Sequence, residues 1–263
     1  MFRLFVIVSL FLFPALAAPG AGAAEGLPGA FSPKKAVLSQ MRARGFMATG
    51  LKAVYPKGAE CLEIDSPFGS DARGDGSPRS EMFYFGFHGG ADISAPLGTP
   101  ILAVAAGKLI HKSKGGSIGG ISMILQHAPK NTGLGVWTYT EYKHLKKVPS
   151  APIGKRFAVG DVIAYSGDTG TKGGHYGMAG HSHLHLSAFY SASDQYVARK
   201  FFTPVDGQWM DPLALFKGPP LKSAEIRDLP GAAKKVNIRY KATGGALAPP
   251  QTKVIWPFAC APK

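Results

Sequence analysis

Between about residues 60 and 190 the apolar positions fall into short β-type runs, separated by Gly, Pro and Asp. The runs cover 82–87, 101–105, 108–111, 121–125, 136–142, 162–165 and 183–189. Such runs, with turn residues between them, predict an antiparallel β domain. In 183–189 the alternation is informative: on a strand His183 and His185 share one face, while Leu184 and Leu186 turn to the core. Upstream, Ala36, Val37, Leu38, Met41 and Ala43 predict one or two helical turns with an apolar side.

Composition narrows the setting. A basic start at Arg3 precedes an apolar run over 4–13 that is too short to span a bilayer as a mature helix, followed by small residues. Residues 1–24 are therefore expected to be a signal peptide, with 25–57 an N-terminal arm, 58–217 the main domain and 218–263 a basic, Pro-containing tail packed on it. Within that tail Trp256, Phe258 and Cys260 are the expected packing residues. Without its first 24 residues the chain loses one charge, Arg3, and keeps 29 Lys and Arg against 16 Asp and Glu, a balance of +13. That excess suits a polyanion, and export favours the cell wall over nucleic acid; the bland alternative is charge that only keeps the protein soluble. Cys61 and Cys260 are an even pair in an exported chain and predict a bridge from the chain's end to the start of the domain. The alternative is two thiols, because sequence does not reveal whether the two Cα atoms come within about 7 Å.

Candidate chemistry gathers in three places: His88-Gly-Gly-Ala-Asp92, Tyr142-Lys-His144-Leu145, and His183-Leu-His185-Leu186. A zinc hydrolase needs three protein ligands, an open position for water and a group that moves protons. His88 and Asp92, four apart, share a face in helix or strand. Singly, an H-x-x-x-D or H-x-H spacing is incidental more often than functional; the ordered set carries the signal.

Around these residues stand Ser66-Pro-Phe-Gly69, Ala95-Pro-Leu-Gly-Thr-Pro100, Ala103-Val-Ala-Ala-Gly107, Val159-Gly-Asp-Val-Ile163, Ser166-Gly167 and Thr169-Gly170. Over about residues 60–190, the ordered set resembles the lysostaphin/LytM-type zinc endopeptidases. The resemblance implies a mainly β fold, an antiparallel sheet or open barrel-like sandwich with few short helices. It implies Zn2+ held by His88, Asp92 and His185, with His144 and His183 as the catalytic histidines. A two-His, one-carboxylate site leaves room for a water whose pKa drops toward about 7, and two further imidazoles can orient it and pass protons. The implied function is a periplasmic or secreted zinc metalloendopeptidase, hydrolysing peptide bonds in peptidoglycan cross-links or stem peptides through a zinc-activated water. The expected partner is the peptide portion of peptidoglycan, with no nucleic acid, no membrane anchor after signal cleavage, and a monomeric state. The alternative is a non-catalytic wall-binding or hydrolase-activating module on the same fold, which would be expected to lack one or more of the five residues.

The chain departs from that pattern in an expanded loop, 171–182, which adds His175 and His181. Both are expected to be cleft or surface residues. His111 and His127 read as strand-end residues. A rival pairing of Glu141 with His144 as E-x-x-H is disfavoured, since on an extended strand the two face opposite sides. The glycine-rich stretches 114–120 and 167–174 fit neither a P-loop nor a dinucleotide loop and are expected to be turns or cleft walls.

Overall fold

The computed structural model describes residues 28–116, 119–198 and 202–263. The expected signal peptide lies outside them. Among the described residues no helix is long and apolar enough to cross a membrane.

The frame is an eight-stranded antiparallel sheet: β1 (Ile64–Ser66), β2 (Ala91–Ser94), β3 (Gly107–Ser113), β4 (Ser122–His127), β5 (Trp137–Lys143), β6 (Arg156–Phe157), β7 (His183–Ser191) and β8 (Gln208–Met210). Its order is β1-β2-β7-β5-β4-β3-β6, and β8 joins β7 beyond the end of β2. The sheet does not close into a barrel: β1 and β6 are its edges. A small antiparallel pair, Pro100–Leu102 with Val162–Tyr165, packs with it. The expected mainly β, antiparallel architecture is what forms.

Strand alternation divides the sheet into two faces. Leu184 and Leu186 of β7, Tyr142 of β5 and Met123 and Leu125 of β4 enter one core, all at most 1% exposed. Burying each leucine contributes roughly 1.5–3 kcal/mol, and a one-residue slip of β7 would take both out of the core and turn His183 and His185 into it, so the register is pinned. On the other face Tyr139, Phe189, Trp209 and Phe46 form a second, aromatic core over one half of the strands. The remaining half of that face is left open and carries the polar side chains.

The arm is bolted to this second core. Its helix Leu38–Ala43 buries Met41, and Phe31 stacks on Trp209 with ring centroids 5.6 Å apart. The indole Nε1 of Trp209 donates to the Ala30 carbonyl at 2.8 Å. In the tail, Trp256, Phe258 and Cys260 are buried in the first core, and Cys260 is bridged to Cys61.

One expected strand does not form. Residues 82–87 make a tight turn, because Tyr84, Phe85 and Gly86 adopt φ of 48°, 54° and 79°. Tertiary packing outweighs the aromatic β-propensity here: the Tyr84 ring lies against Phe46 and Trp209, its N–H donates to Pro33 O at 3.0 Å, and its hydroxyl donates to Phe31 O at 3.0 Å. The aromatic reversal delivers the chain to His88.

Candidate metal centre

Strand register brings the ligand-type residues together. Asp92 pairs with His185 across β2 and β7, His183 pairs with Ser94, and Ser66 of β1 pairs with Asp92. His88 precedes β2 and reaches the same spot through Gly89 and Gly90. Gly90 is required by close approach: a Cβ there would lie 2.5 Å from the Leu186 carbonyl oxygen and 2.7 Å from His185 Nε2. Among the described residues His88, Asp92 and His185 form the group of three whose donor atoms lie within 4.8 Å of one another.

The contacts within the cluster are close. Asp92 Oδ1 is 3.0 Å from His88 Nε2 and 2.8 Å from His185 Nδ1, and the two ring nitrogens are themselves 3.0 Å apart. His88 Nδ1 donates to the Pro67 carbonyl at 3.0 Å, so a neutral His88 turns the lone pair of Nε2 toward the carboxylate. With Nε2 unprotonated, acceptor meets acceptor at that distance, which is repulsive unless a proton or a metal ion lies between them. The donor set of two imidazoles and one carboxylate therefore fits a divalent metal of the zinc type. On the far side of the His185 ring, Nε2 lies 3.0 Å from Ser187 Oγ. Burial opposes ionisation of Asp92, but His88, His185 and His183 together hold its carboxyl well below the usual carboxylate range.

His144 and His183 flank the cluster. Their rings are 4.4 Å apart, and His183 Nε2 is 3.5 Å from Asp92 Oδ1. Each has its tautomer set by a backbone carbonyl: His144 Nδ1 donates to Thr169 O at 2.8 Å and His183 Nδ1 to His181 O at 3.0 Å. In both, Nε2 is left as an acceptor. Burial, reinforced by the neighbouring His183, pushes His144 down to about 3, and burial pushes His183 down as well. Both rings are thus neutral at physiological pH.

A cleft of about 1080 Å³ opens over this cluster. Lys143 and Glu141 of β5 line it, paired at 3.1 Å, with His111 of β3 beyond. Glycines of both expected loops, including Gly115, Gly120, Gly170 and Gly174, form a wall. Aromatic residues, among them Phe31 of the arm and Phe87, form another part of the lining.

The expectation that Glu141 and His144 face opposite sides fails, because β5 ends at Lys143 and His144 adopts φ of 60°. That left-handed turn swings His144 to the cleft, where Glu141 already lies. Glu141 is nonetheless engaged with Lys143 rather than with the cluster. His175 lines the cleft and bonds Asp75 Oδ2 at 2.7 Å, and His181 stacks on His183 at 4.8 Å with Nε2 3.1 Å from Ser94 Oγ. Neither belongs to the three-residue group. His127 is fully buried, donating from Nδ1 to Ala106 O while Thr140 Oγ1 lies 2.8 Å from Nε2. One residue at the site escaped the sequence reading: Arg79, whose Nη2 lies 3.3 Å from Asp92 Oδ2. It belongs to none of the ordered motifs, and its approach depends on the path of a loop.

Residues 86–197 match the sequence profile of peptidase family M23. Among solved structures, the chain is similar to the catalytic domain of the antimicrobial peptidase lysostaphin from Staphylococcus simulans, with 24% identity over 57% of this chain and 86% of that one and a TM-score of 0.36. It is similar to a zinc-containing peptidase from Vibrio cholerae, with 22% identity over 60% of this chain and 37% of that one and a TM-score of 0.37. It is also similar to LytU, with 26% identity over 57% of this chain and 83% of that one and a TM-score of 0.36. Since all three TM-scores lie below 0.5, the assignment rests on the profile match and on the residues. Over residues 86–197 the profile match and the residues together support a metallopeptidase domain of the LytM type.

Proposed function

We propose that the protein is an exported zinc metalloendopeptidase that hydrolyses peptide bonds in the cross-links or stem peptides of peptidoglycan. The observation that carries this reading is the convergence of His88, Asp92 and His185 beside two further histidines at the base of a wide cleft. His88 Nε2, His185 Nδ1 and Asp92 Oδ1 would hold the zinc ion. When bound, zinc supplies Lewis acidity to the scissile carbonyl and lowers the pKa of a water.

The chain's own groups do the rest. Ser187 Oγ accepts the proton on His185 Nε2 and so leaves Nδ1 as a lone pair. His144 and His183, neutral and with Nε2 free to accept, carry the proton from the attacking water to the leaving amine. Their carbonyl partners, Thr169 and His181, hold the rings in that tautomer through the cycle. The mature chain's excess of Lys and Arg draws the protein to an anionic wall.

All five positions are filled, which favours an enzyme over a wall-binding or activating module on the same fold. The test is digestion of purified peptidoglycan and of defined muropeptides, with products resolved by mass. Zinc-loaded protein is expected to release new amino termini and chelated protein none; a folded, zinc-loaded protein that cleaves no muropeptide overturns the reading.

A further inference from the structure

Arg79 is fixed at three points beside the metal centre. Its Nε donates to the Ala72 carbonyl at 3.1 Å, and Nη2 donates both to Ser66 Oγ at 2.5 Å and to Asp92 Oδ2 at 3.3 Å. The side chain is 17% exposed, against 12% for Asp92. The backbone that carries it is a small closed hairpin: Arg79 N donates to Asp71 O at 3.1 Å, Arg73 N to Ser77 O at 2.9 Å, and Ala72 bridges Pro78. A planar guanidinium held at this many points has little freedom left.

The two oxygens of Asp92 are divided between two sets of partners. Oδ2 takes Arg79, while Oδ1 faces His88, His185 and His183 at 3.0, 2.8 and 3.5 Å. A half-turn of the carboxylate only exchanges two equivalent oxygens, but a partial turn that brings both oxygens toward the histidines would break the bond to Arg79. We propose that Arg79 is a positioning residue for the metal centre: by holding Asp92 Oδ2, it presents Oδ1 alone as the ligand and thereby tightens metal binding. The inference rests on Asp92 being a ligand. A cation this close also repels a metal ion, so orientation and charge predict opposite signs for its removal.

The experiment is competition for zinc between a chromophoric chelator and the folded apoprotein, with thermal unfolding of each apo variant checked first. Arg79→Met is expected to weaken zinc binding about 10–100-fold, the usual cost of losing an outer hydrogen bond to a ligand. Arg79→Lys keeps the charge but cannot span Ser66 and Asp92 together, so it is expected to weaken binding as well. Lys114→Met, which removes a cation lining the cleft, is expected to leave zinc affinity unchanged. Unchanged or tighter zinc binding by Arg79→Met overturns the inference. If Arg79→Met does not fold, Arg79→Lys decides in the same way, weakened binding supporting the role and unchanged binding overturning it. Asp92→Ala separates the two layers: if it leaves zinc affinity intact, the ligand assignment falls; if it abolishes binding while the Arg79 variants do not, only the role of Arg79 falls.

Discussion

Asp92 and His185 stand directly opposite one another in the β2–β7 ladder, with carboxylate Oδ1 2.8 Å from imidazole Nδ1. As a proposed ligand pair, the two have positions that the ladder register enforces. Removing His88, Asp92 or His185 by alanine is therefore expected to cost zinc affinity by more than the roughly 10–100-fold of an outer-contact loss. His144→Ala and His183→Ala are expected to keep zinc and lose about 10²–10⁴-fold in turnover. Metal content after dialysis, with muropeptide turnover measured in parallel, distinguishes the two groups. Loss of zinc in His183→Ala but not in His185→Ala reverses the assignment of that pair.

The elements legible in the sequence are those whose signal is local. Alternation in 183–189 predicts both the strand and the shared face of His183 and His185, because a β period needs only neighbours in the chain. The run at 162–165 likewise forms Val162–Tyr165. What stays hidden depends on contacts distant in sequence. The turn at Tyr84 and Phe85 is bought by the arm and by Trp209, and the swing of His144 into the cleft by a single left-handed residue. Arg79 reaches Asp92, 13 positions away, because it ends the hairpin 71–79 and the chain reverses at Tyr84–Gly86 before β2.

Gly90 makes a local prediction. Because a Cβ there meets the Leu186 carbonyl and the His185 ring at 2.5 and 2.7 Å, Gly90→Ala is expected to push β2 from β7 just where the ligands pair. The cost in stability is about 1–3 kcal/mol for overpacking, with zinc affinity falling alongside. Chemical denaturation of the apoprotein reads the first and chelator competition the second. Wild-type values for both would show that the strands accommodate the methyl group.

The Cys61–Cys260 bridge spans 199 residues of sequence. Chain-entropy arguments give a loop this long an upper value of about 5 kcal/mol, and typical bridges give 2–4. The double variant Cys61→Ala/Cys260→Ala is expected to lose about 2–5 kcal/mol of stability in denaturant while binding zinc with unchanged stoichiometry, since neither cysteine touches the metal cluster. An undiminished unfolding midpoint would mean that Trp256 and Phe258 hold the tail without the bridge.

Two buried groups remote from the cluster set opposite pH slopes. Burial pushes Asp211 up from 3.8 to about 6, although Thr49 Oγ1 donates to its Oδ2 at 2.5 Å and the Leu213 N–H to its Oδ1 at 2.9 Å. The folded state therefore holds that proton where the unfolded chain has released it. The resulting stability is full below pH 3.8 and is lost as pH rises through about 6. Burial pushes His127 the other way, from 6.5 to about 4, so its contribution is full above pH 6.5 and is lost as pH falls through about 4. Each spans about 3 kcal/mol at 1.36 kcal/mol per pKa unit, so between pH 4 and 6 they largely offset one another. Asp211→Asn keeps an acceptor for Leu213 and gives Thr49 a donor, and it removes only the first slope. The metal-free variant is expected to match wild type near pH 4, to exceed it by up to about 3 kcal/mol at pH 7.5, and to lose stability more steeply on acidification from pH 6.5. Parallel urea titrations of both chelated proteins across that range decide it, and identical curves would place the Asp211 proton elsewhere.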